Sequence, residues 1–242
     1  MEHLTLIKGG LQNGEITTEI PISEIYEKVM DKNIAIIKGV FPADKARRLR
    51  DLAFQWGLEQ SMAQTKDFYS QGTQNHFYKQ QGVSKIQKTL HYYRTHNFNN
   101  YDALNNEELK GLLTNFFTPL KNFYNTLTSN TADFSGEDKI IHPEIIHYPS
   151  GGGYFAKHFH SLEPQRIGVI VSLSKYGADY NSGGTGFEIG NDIIVDSEKY
   201  HDIGDIALFR YDLGHWVSSC DIEEAMNPES PRGRWTLILP YY

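Results

Sequence analysis

The chain has 242 residues, 39% hydrophobic and 22% charged, the composition of one ordinary folded domain, so residues 1–242 are expected to form a single domain. Twenty-three Lys plus Arg against thirty Asp plus Glu leave a formal charge of −7, which offers no positive field to gather nucleic acid or anionic lipid. Cys220 is the only cysteine, which excludes an intramolecular disulfide and cysteine-based zinc clusters and fits a reducing, cytoplasmic compartment.

Glu2, Lys8, Glu15, Glu19 and Glu24 interrupt the first thirty residues, and no apolar run approaches the length needed to span a bilayer. A soluble, unsecreted protein is expected. Ile34 to Ile37 reads as a short buried strand ending at Gly39. In the segment Ala43 to Trp56, Leu49, Leu52, Ala53 and Trp56 fall at i, i+3, i+4 and i+7, with Arg47, Arg48 and Asp51 opposite and Gly57 as a stop. That spacing predicts an amphipathic helix. The stretch Ala63 to Asn100 is rich in Gln, Tyr, His, Lys and Asn without clean periodicity, and reads as loops and short elements bordering a pocket. Phe68, Tyr69, Phe77, Tyr78, Tyr92 and Tyr93 within it are candidates for an entrance lining, with packing under a long loop as the plainer alternative. Asn106 to Leu127 repeats the helical pattern with a broad stripe of Leu and Phe, and Pro119 is expected to kink or split it.

The pattern changes near Ile140. Glu144 to Tyr148, Ile167 to Leu173, Ile206 to Arg210 and Arg234 to Leu239 are short apolar segments separated by turn residues such as Gly151 to Gly153 and Gly183-Gly184. About eight strands in about 100 residues suit a closed or double-sheet arrangement. The expected class is α+β, with residues 1–139 as N-terminal helical support and loops, and residues 140–242 as a jelly-roll core.

His158-Phe159-His160 places two imidazoles at i and i+2, on one face of a strand, where both can grip one metal ion. A third ligand must come from elsewhere, and His215, after the turn and strand Gly204 to Phe209, is the best candidate. His201, beside Lys199 and Asp202, reads as a solvated loop residue. In Gly233-Arg234-Trp235-Thr236, Arg234 and Thr236 share one face of an otherwise apolar strand. A guanidinium directed into a sandwich requires an anion, and a carboxylate suits its planar fork; pairing with a nearby Asp or Glu is the structural alternative.

These residues resemble the 2-oxoglutarate- and iron(II)-dependent oxygenases, particularly their prolyl-hydroxylase-like branch. The stretch Tyr148-Pro149-Ser150-Gly151-Gly152-Gly153-Tyr154-Phe155-Ala156-Lys157-His158-Phe159-His160 is similar to that branch's Tyr-Pro, Gly-rich turn, Gly-Tyr and His-x-Asp sequence. Arg166 to Ser174, Gly183-Gly184, Gly204-Asp205, His215 and Gly233-Arg234-Trp235-Thr236 follow in the family's order. The resemblance covers residues 140–242 and is looser upstream. It implies a double-stranded β-helix (jelly-roll, cupin-like) core, Fe(II) held by His158 and His215, and 2-oxoglutarate held by Arg234 and Thr236 with Tyr148 reaching the same cosubstrate. One position departs: His160 stands where the family has a carboxylate. The expected site is therefore a three-histidine centre of His158, His160 and His215, with Glu163 or Glu188 as alternative oxygen ligands. The activity implied is oxidation of a small molecule with O2 and 2-oxoglutarate. A three-histidine dioxygenase that does not use 2-oxoglutarate, and a non-catalytic metal- or ligand-binding β-sandwich, are the alternatives.

Overall fold

The computed structural model describes residues 3–59, 74–83, 90–99, 101–135, 140–190, 193–227 and 229–241. It opens with a hairpin, β1 (Leu4–Gln12) and β2 (Glu15–Thr18), turned by Asn13-Gly14 at φ 51° and 79°. Positive φ at both central positions is what a tight two-residue hairpin turn needs, and Asn-Gly supplies it cheaply. Then come α1 (Ile22–Met30), β3 (Ile34–Lys38) and α2 (Ala43–Glu59). The polar stretch beyond α2 is not simply loop: it contains two long antiparallel strands, β4 (Gln74–Val83) and β5 (Leu90–Phe98). Phe68 and Tyr69 lie outside the described residues.

α3 (Glu107–Thr128) is one unbroken helix. Asn106 caps it by accepting a 3.0 Å hydrogen bond from the Leu109 N–H, and Glu107 and Glu108 sit in the first turn, where the helix dipole favours negative charge. Pro119 does not split it, because Phe116, Phe117 and Leu120 on either side are all buried in the same core and hold the axis in place.

Eight strands follow: β6 (Glu144–Pro149), β7 (Gly153–His158), β8 (Ile167–Ser172), β9 (Gly184–Glu188), β10 (Ile194–Asp196), β11 (Ile206–Arg210), β12 (Gly214–Cys220) and β13 (Gly233–Ile238). Their pairing order is β6-β13-β8-β11 in one group and β10-β9-β12-β7 in the other. The chain thus crosses repeatedly between two four-stranded layers, which is the double-stranded β-helix, or jelly roll. β5 bridges the two layers at one margin by pairing with both β6 and β7, while β3 and β1 extend the first layer beyond β11.

Strand alternation sorts side chains between two environments. From the first layer, Ile145, Val169, Val171, Leu208, Trp235 and Leu237 face the helices and share one core with Leu49, Leu113 and Phe117. The opposite face of β13 carries Arg234 and Thr236, which stand in register with Tyr148 and Ile146 of β6. This inner face holds smaller apolar clusters, one around Phe187, Phe209 and Leu213 and one around Tyr148, Tyr180 and Val217. The helices therefore stabilise the layer from outside, leaving polar side chains between the two layers.

Candidate metal centre

His158 ends β7 and stands directly opposite His215 of β12 in the antiparallel ladder. His160 lies two residues beyond His158, on the same side of the chain, while Phe159 between them is 51% exposed. One ring nitrogen from each of the three histidines lies within 4.8 Å of the others, and these three are the candidate metal cluster among the described residues. His158 and His215 have ring centroids 4.2 Å apart, and His160 lies 5.0 and 5.3 Å from them.

The same local device orients two of the rings. Nδ1 of His158 donates to the carbonyl of Ala156 at 3.0 Å, and Nδ1 of His215 donates to that of Leu213 at 2.9 Å. A donating Nδ1 fixes the tautomer and leaves the Nε2 lone pair for a metal. Aromatic faces supply the rest of the support: Phe155 stacks on His158 at 4.0 Å, Tyr211 lies parallel to His160 at 4.2 Å, and Phe209 packs 4.8 Å from His215.

Burial lowers the affinity of all three rings for protons, and for His160 and His215 the neighbouring site histidines add to it. His160 is pushed down to about 4, first by burial and then by His158; His215 falls well below its ordinary value through burial, His158 and His160. His158 is lowered chiefly by burial. Neutral imidazole is the ligand form, so near pH 7 no proton has to leave before a cation enters. Three nitrogen donors suit Fe(II), and equally suit other divalent transition ions.

Arg234 points inward and is 2% exposed. Its Cζ lies 5.7 Å from the centre of the Tyr148 ring. Nε donates to Oε1 of Glu198 at 2.8 Å and Nη2 donates to Oγ1 of Thr185 at 2.6 Å. Glu198 is equally buried; its carboxylate also accepts the Tyr180 hydroxyl on Oε1 and the Thr185 N–H, at 2.8 Å, on Oε2. Burial opposes ionisation of Glu198, but the Arg234 charge and these hydrogen bonds outweigh it and hold the carboxyl below its usual range. Thr185 belongs to β9, two residues from Phe187, which faces His215 across the β9–β12 ladder. Arg234 therefore reaches from one layer to the other, and the arginine and the histidines face the same space between the layers.

No protein-family model and no curated protein matches the chain by sequence. Solved structures do match it. A prolyl-4-hydroxylase from Pseudomonas putida superposes with a TM-score of 0.58 at 12% identity, over 91% of this chain and 98% of that one. EctD from S. alaskensis, solved with bound Fe, gives 0.55 at 14% identity over 97% and 83%. An oxidoreductase of the 2OG-Fe(II) oxygenase family from Burkholderia pseudomallei gives 0.50 at 9% identity over 98% and 94%. The fold is that of the 2-oxoglutarate/Fe(II) oxygenases.

Within that oxygenase fold, the sequence-derived residues divide cleanly. His158, His160 and His215 converge, and Tyr148, Arg234 and Thr236 share the inner face of β6 and β13. Glu188 and Glu163 are engaged elsewhere, in ion pairs with Lys157 at 2.6 Å and Arg166 at 2.8 Å. His201 is not solvated: it is 2% exposed, and its Nε2 donates to the Asp205 carbonyl at 3.0 Å. The 3-10 turn Glu198–Tyr200 just before it folds inward and carries His201 with it. Of the entrance aromatics, Tyr93 stands beside Tyr148 and Phe155, at 5.7 and 5.5 Å, on the inner face. Sequence reasoning did not find Glu198, Tyr180 or Tyr211. Gly184 was the available signal for Glu198, because a Cβ there would come 2.6 Å from Glu198 Cγ at a φ of +125°.

Proposed function

We propose that the chain is a non-haem Fe(II), 2-oxoglutarate-dependent oxygenase that oxidises a small molecule, with His158, His160 and His215 as the metal ligands. The observation that carries this reading is the convergence of three pre-oriented imidazoles between the layers of an oxygenase fold. The donor set fits the ion: neutral nitrogen ligands and aromatic shielding suit a redox-active divalent metal. When bound, iron with 2-oxoglutarate and O2 supplies the oxidising chemistry, which no amino-acid side chain provides.

The chain's own residues bind, orient and shield. Carbonyls at Ala156 and Leu213 hold the Nε2 atoms of His158 and His215 toward the metal, and Tyr211 fixes the plane of His160. Arg234, with Thr236 and Tyr148, is assigned the distal carboxylate of 2-oxoglutarate. Its Nε and Nη2 are engaged by Glu198 and Thr185, so Nη1 is the group assigned to the cosubstrate. Phe155, Phe187, Phe209 and Tyr93 exclude water around the rings. A charge of −7 further supports a small-molecule substrate over an acidic polymer.

A three-histidine dioxygenase that does not use 2-oxoglutarate is the second reading, and one observation favours it: Arg234 already carries an internal carboxylate. Anaerobic addition of Fe(II) and 2-oxoglutarate separates the two. The first reading expects a visible charge-transfer band, succinate release on admission of O2, and a weakened affinity for 2-oxoglutarate in Arg234→Ala. Oxygen uptake with substrate but no succinate would transfer the assignment to the second.

A further inference from the structure

Arg234 has five N–H donors arranged along two usable edges, one formed by Nε with Nη2 and the other by the two Nη groups. The first edge is filled from within the chain, by Glu198 at Nε and Thr185 at Nη2. Glu198 is firmly held. Arg234 and Tyr180 donate to its Oε1 and the Thr185 N–H to its Oε2, and Gly184 leaves the room that its side chain occupies. Displacing it would strand a buried carboxylate, which is strongly unfavourable. The pair therefore persists when a ligand enters, and the guanidinium charge is already balanced. A second carboxylate arriving at Nη1 would be attracted by Arg234 and repelled by Glu198 a few ångströms away, with little water between them to screen either force.

We propose that Glu198 is a specificity-determining residue, which neutralises Arg234 so that the cosubstrate subsite does not require a distal carboxylate and accepts 2-oxo monocarboxylic acids nearly as well as 2-oxoglutarate. Glu198 acts through Arg234 and is a positioning residue. The inference rests on the oxo-acid reading given above and deepens it. Selection at such a subsite comes from the balance of an attractive and a repulsive charge rather than from either alone.

The test compares 2-oxoglutarate with 2-oxopentanoate, which has the same carbon chain without the distal carboxylate. Binding of each is measured calorimetrically, without O2, to protein loaded with Mn(II) in place of iron. The wild-type chain is expected to prefer 2-oxoglutarate by less than about tenfold, and Glu198→Gln, which keeps the shape and removes the charge, to widen that preference about tenfold by tightening 2-oxoglutarate alone. A merely structural role for Glu198 would shift both ligands together, and that result overturns the proposal. So does a wild-type preference above about a hundredfold, a measurement that stands even where Glu198→Gln does not fold. Binding of neither oxo acid to wild type or variant would remove the oxo-acid reading itself, and this proposal with it.

Discussion

In the proposed centre His160 would supply the third donor without the negative charge a carboxylate would bring. His160 is held by the parallel face of Tyr211 at 4.2 Å rather than by a hydrogen-bonded carbonyl like those beneath His158 and His215. Its placement thus depends on one stacking partner. His160→Ala is expected to weaken Fe(II) or Mn(II) binding by about tenfold or more, and Tyr211→Leu by about tenfold, since partners that orient a ligand typically contribute on that scale. Competition against a chromogenic chelator reads both, and equal affinity in wild type and His160→Ala would remove His160 from the coordination sphere. The Arg234–Glu198 pair yields a sharper contrast at the same scale. Arg234→Met leaves Glu198 buried without its counter-charge and is expected to cost roughly 3–5 kcal/mol of unfolding free energy, whereas Arg234→Met with Glu198→Met should recover most of that loss. Urea unfolding of the two variants checks it; a double variant as unstable as the single one would show that packing, not charge, governs the site.

The elements that bring these residues together differ in how plainly the sequence announces them. α3 is announced by its own stripe; it packs against α1, α2 and β2 in the core that also receives the outward side chains of the β6-β13-β8-β11 layer. Phe117 lies fully buried in that core, beside Tyr101 and Phe134. Phe117→Ala should destabilise the fold by roughly 3–5 kcal/mol while leaving metal affinity at neutral pH unchanged, because the strand layer separates it from the histidines. Denaturant melts paired with a metal titration test this, and coupled losses would mean that the helices shape the site directly. Short apolar runs bounded by turn residues made β6, β8, β11 and β13 readable, with Arg234 and Thr236 visible as polar intruders on one face of β13. Three features were obscured for physical reasons. β5 carries His91, Arg94, Thr95, His96 and Asn97, all buried, so its polarity conceals a strand that pairs with β4, β6 and β7. The β1–β2 hairpin depended on Asn13-Gly14, a local turn signal outweighed by the weak strands on either side. Glu198 sits in a single 3-10 turn, which has no periodicity, and a glutamate between Ser197 and Lys199 reads as surface until Arg234 is known to face it.

At the scale of the whole molecule, buried neutral histidines link stability to pH. His142 is pushed down to about 4 by burial from an ordinary value of 6.5, and His160 falls to about 4 for the same reason with His158 adding to it. Their folded values lie below their unfolded ones, so the stability they contribute is complete above about pH 6.5 and declines as the unfolded chain takes up protons that the folded one refuses, down to about pH 4. Carboxylates held low, such as Glu198, act only below their ordinary value of 4.5 and leave the upper part of this window to the histidines. The metal-free protein should therefore lose unfolding free energy steadily from pH 6.5 to 5, with a shallower slope in His142→Gln. Bound metal raises stability and steepens the same trend, because it binds only the neutral rings of the folded state. Mn(II) at a hundred times its dissociation constant should add about 2.7 kcal/mol at pH 7.5, with the gain shrinking as protons compete for the rings in acid. Thermal melts with and without Mn(II), across that range and in His215→Ala, decide the matter: a stabilisation that survives His215→Ala, or that grows toward pH 5, would place the cation somewhere other than among the three histidines.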